Sequence, residues 1–379
     1  MNQIDAFPRL SAVTPLPVLL CFSHLRWDFV FQRPQHLMER AMATYRVFYI
    51  EEPVHADGRP HLRMRSEPSG VMVVTPVFHH TCDAVYEQKR LLADLLTALQ
   101  PANLVRWYYT PMAMRFSADL PAGLTVYDCM DELSAFRFAP ADLGMLEQQL
   151  MLQSNLVFTG GASLYAAKAG LHADVTCFPS SVDVAHFGQA RLALPDPDDQ
   201  AGIAGPRIGY FGVIDERMDL DLVALAAAQL PDVQFVMLGP VVKVDPASLP
   251  KAQNLHWLGR KEYAELPLYM ANWQAAWMPF ALNDATRFIS PTKTPEFLAA
   301  GLQVTSTAVR DVIADWGAAG LVQIADAAGI AVALRRSLDT ALPSWKAAVD
   351  ARLASLSWDR TWAAMAPRMI DQSALVIRS

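Results

Sequence analysis

Short apolar runs alternate with longer helical patterns along this chain. The runs are nearly continuous and rich in β-branched residues, which is typical of parallel strands covered on both faces. In the first half they read PVLLCF, RVFYIEE, GVMVVTPV, LVRWYYT, LTVYDCM, NLVFTGG and VTCFPSS. Between them lie helical stretches such as RPQHLMERAMA, AVYEQKRLLADLLTALQ and DLGMLEQQLML. This repetition of strand and helix predicts an α/β fold built on an open, doubly wound sheet.

One segment interrupts the alternation. Residues 188–206 are rich in Pro, Asp, Gly and Ala and are predicted to form a linker. Beyond it the apolar runs resume as RIGYFGVI, QFVMLGP, LHWLG, AAWMPF, QVTST and LVQIAD. We therefore predict two Rossmann-like domains, residues 1–190 and 191–345, facing each other across a cleft. A helical segment over residues 346–379 is expected to pack back on the first domain.

Composition and charge narrow the class of protein. The chain has 379 residues, of which 53% are apolar and 18% charged, as in a globular protein with two domain cores. A net charge of -7 argues against a nucleic-acid partner. The four cysteines form no CxxC pair, so buried thiols in a reducing cytoplasm are expected. The first residues lack a secretory signal pattern, and no apolar run approaches the roughly 20 residues of a membrane span.

The loop after the first strand is dense in polar and aromatic groups. It contains no GxGxxG or GxxxxGK[ST] motif, so the sequence gives no support for hydride transfer. Arg and aromatic side chains together suit a sugar, whose face stacks on a ring and whose hydroxyls accept forked hydrogen bonds. We expect this loop to bind a ligand, although structural packing is the alternative. Its candidate residues are Ser23, His24, Arg26, Trp27, Asp28, Gln32 and Arg33.

Three carboxylates follow another strand of the first half. Asp128, Asp131 and Glu132 lie in VYDCMDELSAF, where they could act as a base, bind hydroxyls, bind a metal or cap the next helix. No His lies nearby in sequence, which disfavours a dedicated metal site. Capping and hydroxyl binding remain equally open.

The first strand of the second half ends in a glycine that is followed by charged residues. Gly212 in RIGYFGVIDER would let backbone N–H groups face an anion, and Arg217 could then neutralise a phosphate. A turn glycine and a surface arginine are the simpler alternative.

The segment SPTKTPEF contains a cation and an anion three residues apart, where a loop becomes a helix. Ser290 or Thr292 is expected to cap this helix, whose N-terminus favours phosphate. Lys293 adds a full positive charge, while Glu296 can accept two ribose hydroxyls. We therefore expect one nucleotide to contact both side chains, although a first-turn Glu that merely complements the helix dipole is the alternative.

These segments resemble motifs of nucleotide-sugar glycosyltransferases of the GT-B fold, in particular retaining-type bacterial polysaccharide enzymes such as those linked to teichuronic acid. SHLRWDFVFQRPQHL resembles the first-loop signature of that group, and FPSSVDVAHF resembles its element before the linker. SPTKTPEFLAAGLQVTST is similar to the donor-site element SP.K..EYLA.G.PVV.T. The resemblance covers most of the chain.

The resemblance implies a UDP- or GDP-sugar held by the second domain and a glycan or lipid-linked acceptor held by the first, where Arg26, Trp27 and Arg33 are the candidates. It implies transfer to an acceptor hydroxyl in cell-surface polysaccharide synthesis. Neither metal nor other cofactor is expected, because Arg and Lys neutralise the leaving diphosphate. Carried over by position, the donor-site residues are Gly212, Arg217, Asn283, Thr286, Arg287, Ser290, Lys293 and Glu296.

Two positions depart from the pattern of that group. Many retaining members have two glutamates in the donor-site element. Glu296 matches the second, and Phe288 occupies the place of the first. Many also have a Lys soon after the position of Arg217, where this chain has none. The stereochemistry of transfer therefore stays open. An inverting reaction needs a base, for which His24 and Asp28 are candidates, and Asp131 is a further candidate catalytic group.

Other readings remain. A sugar-nucleotide 2-epimerase uses the same two-domain fold, and Asp128, Asp131 and Glu132 keep that activity open. The Phe at position 288 motivates a second alternative, a non-catalytic partner protein of the GT-B fold. Because such acceptors are often lipid-linked, peripheral contact with the inner face of the membrane is plausible, with Arg26, Arg33 and Arg40 as candidates.

Overall fold

A computed structural model of the protein describes residues 16–376. Its first sheet has the order β3-β5-β2-β1-β6-β7-β8-β9, and β4 pairs antiparallel with β5 at one edge. The remaining pairs are parallel. The strands are β1 (Val18–Phe22), β2 (Arg46–Ile50), β3 (Val54–His55), β4 (His61–Ser66), β5 (Met72–Phe78), β6 (Leu104–Tyr108), β7 (Leu124–Cys129), β8 (Leu156–Thr159) and β9 (Val175–Cys177).

The second sheet is parallel throughout, in the order β12-β11-β10-β13-β14-β15. In a doubly wound sheet of this order, ligands bind where the strand order reverses, which here is between β10 and β13. The strands are β10 (Arg207–Phe211), β11 (Gln234–Leu238), β12 (Leu255–Gly259), β13 (Ala275–Met278), β14 (Gln303–Ser306) and β15 (Gln323–Ile324).

Helices connect the strands and cover both sheets. They are α1 (Arg33–Ala41), α2 (Ala84–Leu99), α3 (Met114–Ser117), α4 (Leu143–Gln153), α5 (Ala162–Lys168), α6 (Val184–Gly188), α7 (Asp198–Ala201), α8 (Leu220–Gln229), α9 (Leu266–Met270), α10 (Lys293–Ala299), α11 (Arg310–Val312), α12 (Ile330–Ser337), α13 (Pro343–Leu353) and α14 (Trp358–Val376). None of the helices in the described range combines the length and hydropathy of a membrane span.

The predicted α/β class with doubly wound sheets is confirmed. Continuous burial along strands such as β1 and β8 explains why their sequences read as unbroken apolar runs. The pattern missed β3 and the antiparallel strand β4. HLRMRS in β4 alternates between polar and apolar positions because this edge strand is largely exposed, so it lacks the signature of a buried parallel strand.

The segment predicted as a linker packs against the second sheet instead of spanning freely. It carries the short helix α7, in which Gln200 is fully buried. The Gln200 amide donates to the Tyr269 carbonyl at 3.1 Å and accepts from Trp273 Nε1 at 2.7 Å. Two Asp residues of the segment form ion pairs with the second domain, Asp196 with Arg207 at 2.6 Å and Asp199 with Lys261 at 2.5 Å.

The long helix α14 returns from the second sheet to the first. Trp358, Trp362, Met365 and Met369 are buried in the same core as residues of β1, β6 and β7. The Trp362 ring lies 6.2 Å from that of Trp107, between centroids. Residues from the end of the chain therefore complete the first core.

Candidate active site

A cleft lies between the two sheets, at the carboxyl ends of their strands. Its first-domain wall contains Phe31, Gln32, Arg33, Met130, Asp131 and Ser180. Its second-domain wall is formed by loops after β10, β11, β12 and β13 and by the start of α10. That wall includes Gly212, Arg217, Gly239, Arg260, Tyr263, Ser290, Lys293 and Glu296.

Lys293 and Glu296 form an ion pair on the second-domain wall. Lys293 Nζ lies 2.9 Å from Glu296 Oε2 and 4.7 Å from the centroid of the Phe211 ring. Both side chains are largely buried, and a buried charge needs a partner. Lys293 and Glu296, which we expect to contact one nucleotide, are therefore neighbours in the cleft.

Helix α10 begins without a side-chain cap, contrary to expectation. Thr292 occupies the cap position in a helical conformation, and its hydroxyl makes no capping bond; it accepts instead from Lys293 Nζ at 3.2 Å. Ser290 lines the cleft and lies against Gly161 of the first domain, where an added Cβ would be 2.6 Å from Ser290 Cβ. Neither Ser290 nor Thr292 therefore caps the helix through its side chain in the described structure.

Two glycines bring backbone close together on the cleft floor. Gly212 and Gly239 follow β10 and β11 with φ of +148° and +142°, which favour glycine. A Cβ on Gly239 would lie 1.8 Å from the Gly212 carbonyl oxygen. Any side chain there would separate two of the loops that form the second-domain wall.

Arg217 is held by a neighbouring carboxylate. Its Nε lies 2.9 Å from Asp215 Oδ1 and its Nη2 2.7 Å from Asp215 Oδ2, a forked geometry. Hydrogen bonds and electrostatic attraction to Asp215 raise the pKa of Arg217 beyond its usual range despite the opposing effect of burial. The guanidinium stays charged where it lines the cleft.

The loop expected to contact the donor sugar uses its polar groups internally. Asn283 Oδ1 accepts from Thr286 N at 3.1 Å, and Asn283 Nδ2 donates to the Glu216 carbonyl at 2.9 Å. Thr286 is buried, and Arg287 lies over the Phe288 ring. None of these four residues is among the described residues that line the cleft. The direct sugar contact of Asn283, Thr286 and Arg287 stays a prediction, and in this arrangement Asn283 and Thr286 use their polar groups within the loop.

Phe288 packs against the apolar core of the first domain. A carboxylate at this position would place a charge against an apolar surface, which is costly without a partner. The aromatic residue instead joins the two domains beside the cleft.

Asp131 is the carboxylate among the described residues of the first-domain wall. Burial raises its pKa to about 6, and Asp215 adds to the rise while Arg217, Lys243 and Arg33 oppose it. It lines the cleft opposite the second-domain cations. A carboxyl whose pKa is near neutral is suited to accept a proton from a substrate.

The other two carboxylates of that segment are already paired. Asp128 is fully buried and accepts from Arg33 Nε at 2.9 Å and from Nη2 at 2.8 Å. Glu132 lies 2.7 Å from Lys168 Nζ. Neither is a free base, and neither caps a helix through its side chain. In the described part of the chain, no three His, Cys, Asp or Glu side chains are placed to hold a metal ion.

Several residues of the first loop lie away from the ligand space. Trp27 is 6% exposed and packs edge-on against Tyr49, with 5.0 Å between the ring centroids, so its face is not free for a sugar. Arg26 pairs with Glu51 at 3.1 Å. Asp28 pairs with Arg65 at 2.6 Å and is mostly exposed. These three groups stabilise the loop, and Asp28 is not placed as a base in the cleft.

Arg33 also differs from expectation. Only 1% of it is exposed, and it donates to the Phe178 carbonyl at 2.7 Å besides pairing with Asp128. It cannot contact a membrane surface, and Arg40 is paired with Asp359 at 2.7 Å. Arg33 still borders the cleft, where its charge acts at short range.

His24 is held neutral. Burial lowers its pKa to about 4, and Lys243 adds to the effect. Its Nδ1 is buried and has no hydrogen-bond partner within residues 16–372. A neutral imidazole can accept a proton, but His24 does not line the cleft.

Sequence reasoning missed Tyr263 and Phe136. Tyr263 lines the cleft, its ring lies 4.8 Å from that of Phe31 in the first domain, and its buried hydroxyl has no partner among the described groups. Phe136 lies against Arg217 and Lys243. Phe136 ends the segment VYDCMDELSAF, but its type and position did not mark it as a contact residue. Only the structure shows that Tyr263 and Phe136 each contact the opposite domain.

Structural comparison identifies the architecture. Sucrose-phosphate synthase from Thermosynechococcus elongatus superposes with a TM-score of 0.71 at 13% identity, over 95% of this chain and 100% of that one. HepE from Anabaena, solved with UDP and glucose, superposes with a TM-score of 0.62 at 16% identity, over 93% and 99%. The chain has the GT-B fold. The resemblance to GT-B glycosyltransferases is thereby confirmed in architecture.

Sequence comparison points in the same direction. No protein-family model matches the chain. A protein of Bacillus subtilis (strain 168) named "Putative teichuronic acid biosynthesis glycosyltransferase TuaH" is 26% identical over 250 residues. The match spans 61% of this chain and 62% of that relative, so it covers less than two thirds of the relative's length.

Proposed function

We propose that this protein transfers a hexosyl group from a UDP- or GDP-sugar to a hydroxyl of a glycan or lipid-linked acceptor in cell-surface polysaccharide synthesis. The GT-B fold and the similarity to a protein named for teichuronic acid biosynthesis support the proposal. The observation that carries it is the cleft itself. Lys293, Arg217 and Glu296 lie on one wall, and Asp131 lies on the other.

Each wall has its own chemical task. Lys293 and Arg217 bind the diphosphate, and they stabilise the negative charge that grows as the sugar–phosphate bond breaks. Glu296 accepts hydrogen bonds from the ribose hydroxyls, as a carboxylate does in many nucleotide sites. Two fixed cations beside the leaving group support a metal-independent reaction.

Asp131 accepts the proton of the acceptor hydroxyl during transfer. The bond between the anomeric carbon and the donor phosphate oxygen breaks, and a bond from that carbon to the acceptor oxygen forms. The acceptor proton passes to the Asp131 carboxylate, and the nucleoside diphosphate leaves with both electrons of the broken bond. A pKa of about 6 leaves Asp131 ionised near neutral pH and still basic enough to take part.

A nucleotide-binding screen tests the donor site. We expect thermal stabilisation by one of UDP, GDP, ADP and dTDP. Lys293→Ala should weaken that binding about 10- to 100-fold, because a charge-assisted contact is lost. Lys251→Ala is the matched control, since Lys251 is an exposed lysine of the same domain that does not line the cleft. Failure of all four nucleotides to bind would reject the proposal.

The test of ribose binding by Glu296 compares the affinities for two nucleotides, because removal of Glu296 also leaves Lys293 without its ion-pair partner. With UDP as the probe, the wild type should prefer UDP over 2′-deoxy-UDP, and Glu296→Ala should abolish that preference. A preference that persists in the variant would show that Glu296 does not bind the diol. Conversion of a UDP-sugar to its epimer without acceptor would instead identify an epimerase.

A further inference from the structure

A first-domain aromatic ring contacts two cations of the second domain. Phe136 belongs to the loop after β7 and is half-buried. The Arg217 guanidinium carbon lies 5.3 Å from the centroid of its ring, and Lys243 Nζ lies 4.8 Å from it. Both distances are within the roughly 6 Å over which a ring face attracts a cation.

The same loop reaches the second domain a second time. The backbone N–H of Arg137 donates to Glu216 Oε1 at 3.0 Å, and Lys243 Nζ lies 3.5 Å from that oxygen. The Glu216 side chain is 6% exposed. A ring and a backbone donor from one domain thus meet two cations and a carboxylate from the other.

These contacts determine which edge of Arg217 is available. Asp215 engages Nε and Nη2 of its guanidinium, and the guanidinium carbon lies over the Phe136 ring. Among the described groups, Nη1 has no hydrogen-bond partner, and the residue lines the cleft. The guanidinium is therefore fixed in orientation while one donor edge stays open.

We infer that Phe136 is a positioning residue, which holds Arg217 at the diphosphate end of the donor site from across the domain boundary, with Lys243 packed on the same ring. The inference rests on the proposed function and deepens it. The first domain then contributes to donor binding without touching the nucleotide. Asp131 and Phe136 lie on the same loop after β7. Binding of the diphosphate by Arg217 is therefore coupled to the approach of the first domain.

Leucine and tyrosine substitutions separate the ring from its bulk. Phe136→Leu keeps an apolar side chain without a π face, whereas Phe136→Tyr keeps the face. Phe138→Leu is the matched control, because Phe138 is two residues away on the same loop and 83% exposed. The probes are UDP and uridine, measured by calorimetry for the full-length protein, because only UDP presents a diphosphate.

We expect Phe136→Leu to weaken UDP binding about 3- to 10-fold and to leave uridine binding unchanged. Phe136→Tyr and Phe138→Leu should both stay within twofold of the wild type. In Phe136→Leu the donor KM should rise together with the dissociation constant for UDP, while the acceptor KM should not change. If Phe136 had a purely structural role, the substitution would weaken the binding of UDP and of uridine equally.

The outcomes are distinguishable. If the wild type binds UDP and Phe136→Leu keeps the wild-type ratio of UDP to uridine affinity, the inference is wrong and the proposed function stands. Equal weakening of both probes also overturns the inference. If the wild type binds no nucleoside diphosphate, the proposed function fails, and the inference fails with it.

Discussion

Three carboxylates within five residues have three different environments. Asp128 is paired with Arg33 in the first core, and Glu132 is paired with Lys168. Asp131 remains in the cleft, where burial raises its pKa to about 6. All three are carboxylates of one short segment, so the neighbours from distant parts of the chain decide which one is available for chemistry.

The pKa of Asp131 predicts a pH-dependent stability. Its value in the folded protein lies above its ordinary 3.8, so the folded state binds the proton more tightly than the unfolded chain. Stability should fall as pH rises from about 4 to 6, and Asp131→Asn should lack that loss. At pH 8 the variant should be more stable by up to about 3 kcal/mol. Urea unfolding at several pH values measures this, and parallel curves would contradict it.

The loops after the strands, rather than the strands themselves, form the second-domain wall of the cleft. The loops after β10 and β11 meet through Gly212 and Gly239, whose positive φ angles and missing side chains permit contact between backbones. Lys293 then reaches the same space from α10. The sequence indicated a functional Gly212 from its place after a strand, but the need for Gly239 arises from an atom 27 residues earlier along the chain.

Alanine at Gly239 should be strongly destabilising. Its Cβ would clash with the Gly212 carbonyl oxygen, and the positive φ adds strain, so we expect a loss of about 3 kcal/mol or more and loss of UDP binding. Gly259→Ala is the control. Gly259 also has a positive φ of +71° but has open space around it, so only about 1–2 kcal/mol should be lost. Denaturant unfolding compares the two, and equal losses would refute the steric explanation.

The two domains are joined by a buried contact beside the cleft. Asp311 of α11 is 2% exposed and accepts hydrogen bonds from the Ser163 N–H at 3.2 Å and from the Ser163 hydroxyl, at the start of α5. Gly161 allows this approach, because an added Cβ would lie 2.6 Å from Asp311 Oδ2. The second domain thus caps a first-domain helix.

Removal of that cap should loosen the junction. Asp311→Ala leaves the Ser163 N–H buried and unpaired, at a cost of about 1–3 kcal/mol. Hydrogen exchange at residues 162–164 should accelerate in the variant. Asp315→Ala serves as the control, because Asp315 accepts no hydrogen bond from α5 among the described residues, where Asp311 alone accepts from Ser163 N. Unchanged exchange at Ser163 would show that the domains do not depend on this contact.

Much of the fold follows from the sequence alone. Buried parallel strands must be apolar along their whole length, so their positions were readable, whereas the exposed edge strand β4 was not. The sequence also predicted part of the second-domain wall, because its residues follow a strand or begin a helix, as do Gly212, Arg217, Lys293 and Glu296. The sequence did not predict the roles of the first-loop residues, because Arg and Trp side chains occur in packing and in binding alike.

The sequence by itself determined the two doubly wound sheets and the polar strand ends that border a cleft. Local periodicity and composition carry that information. Only the tertiary structure decided that Asp131 rather than Asp28 faces the cleft, that Arg33 neutralises Asp128, and that Phe136 contacts Arg217. Those outcomes depend on burial and on charges brought together from opposite domains, and neither quantity is a property of a segment.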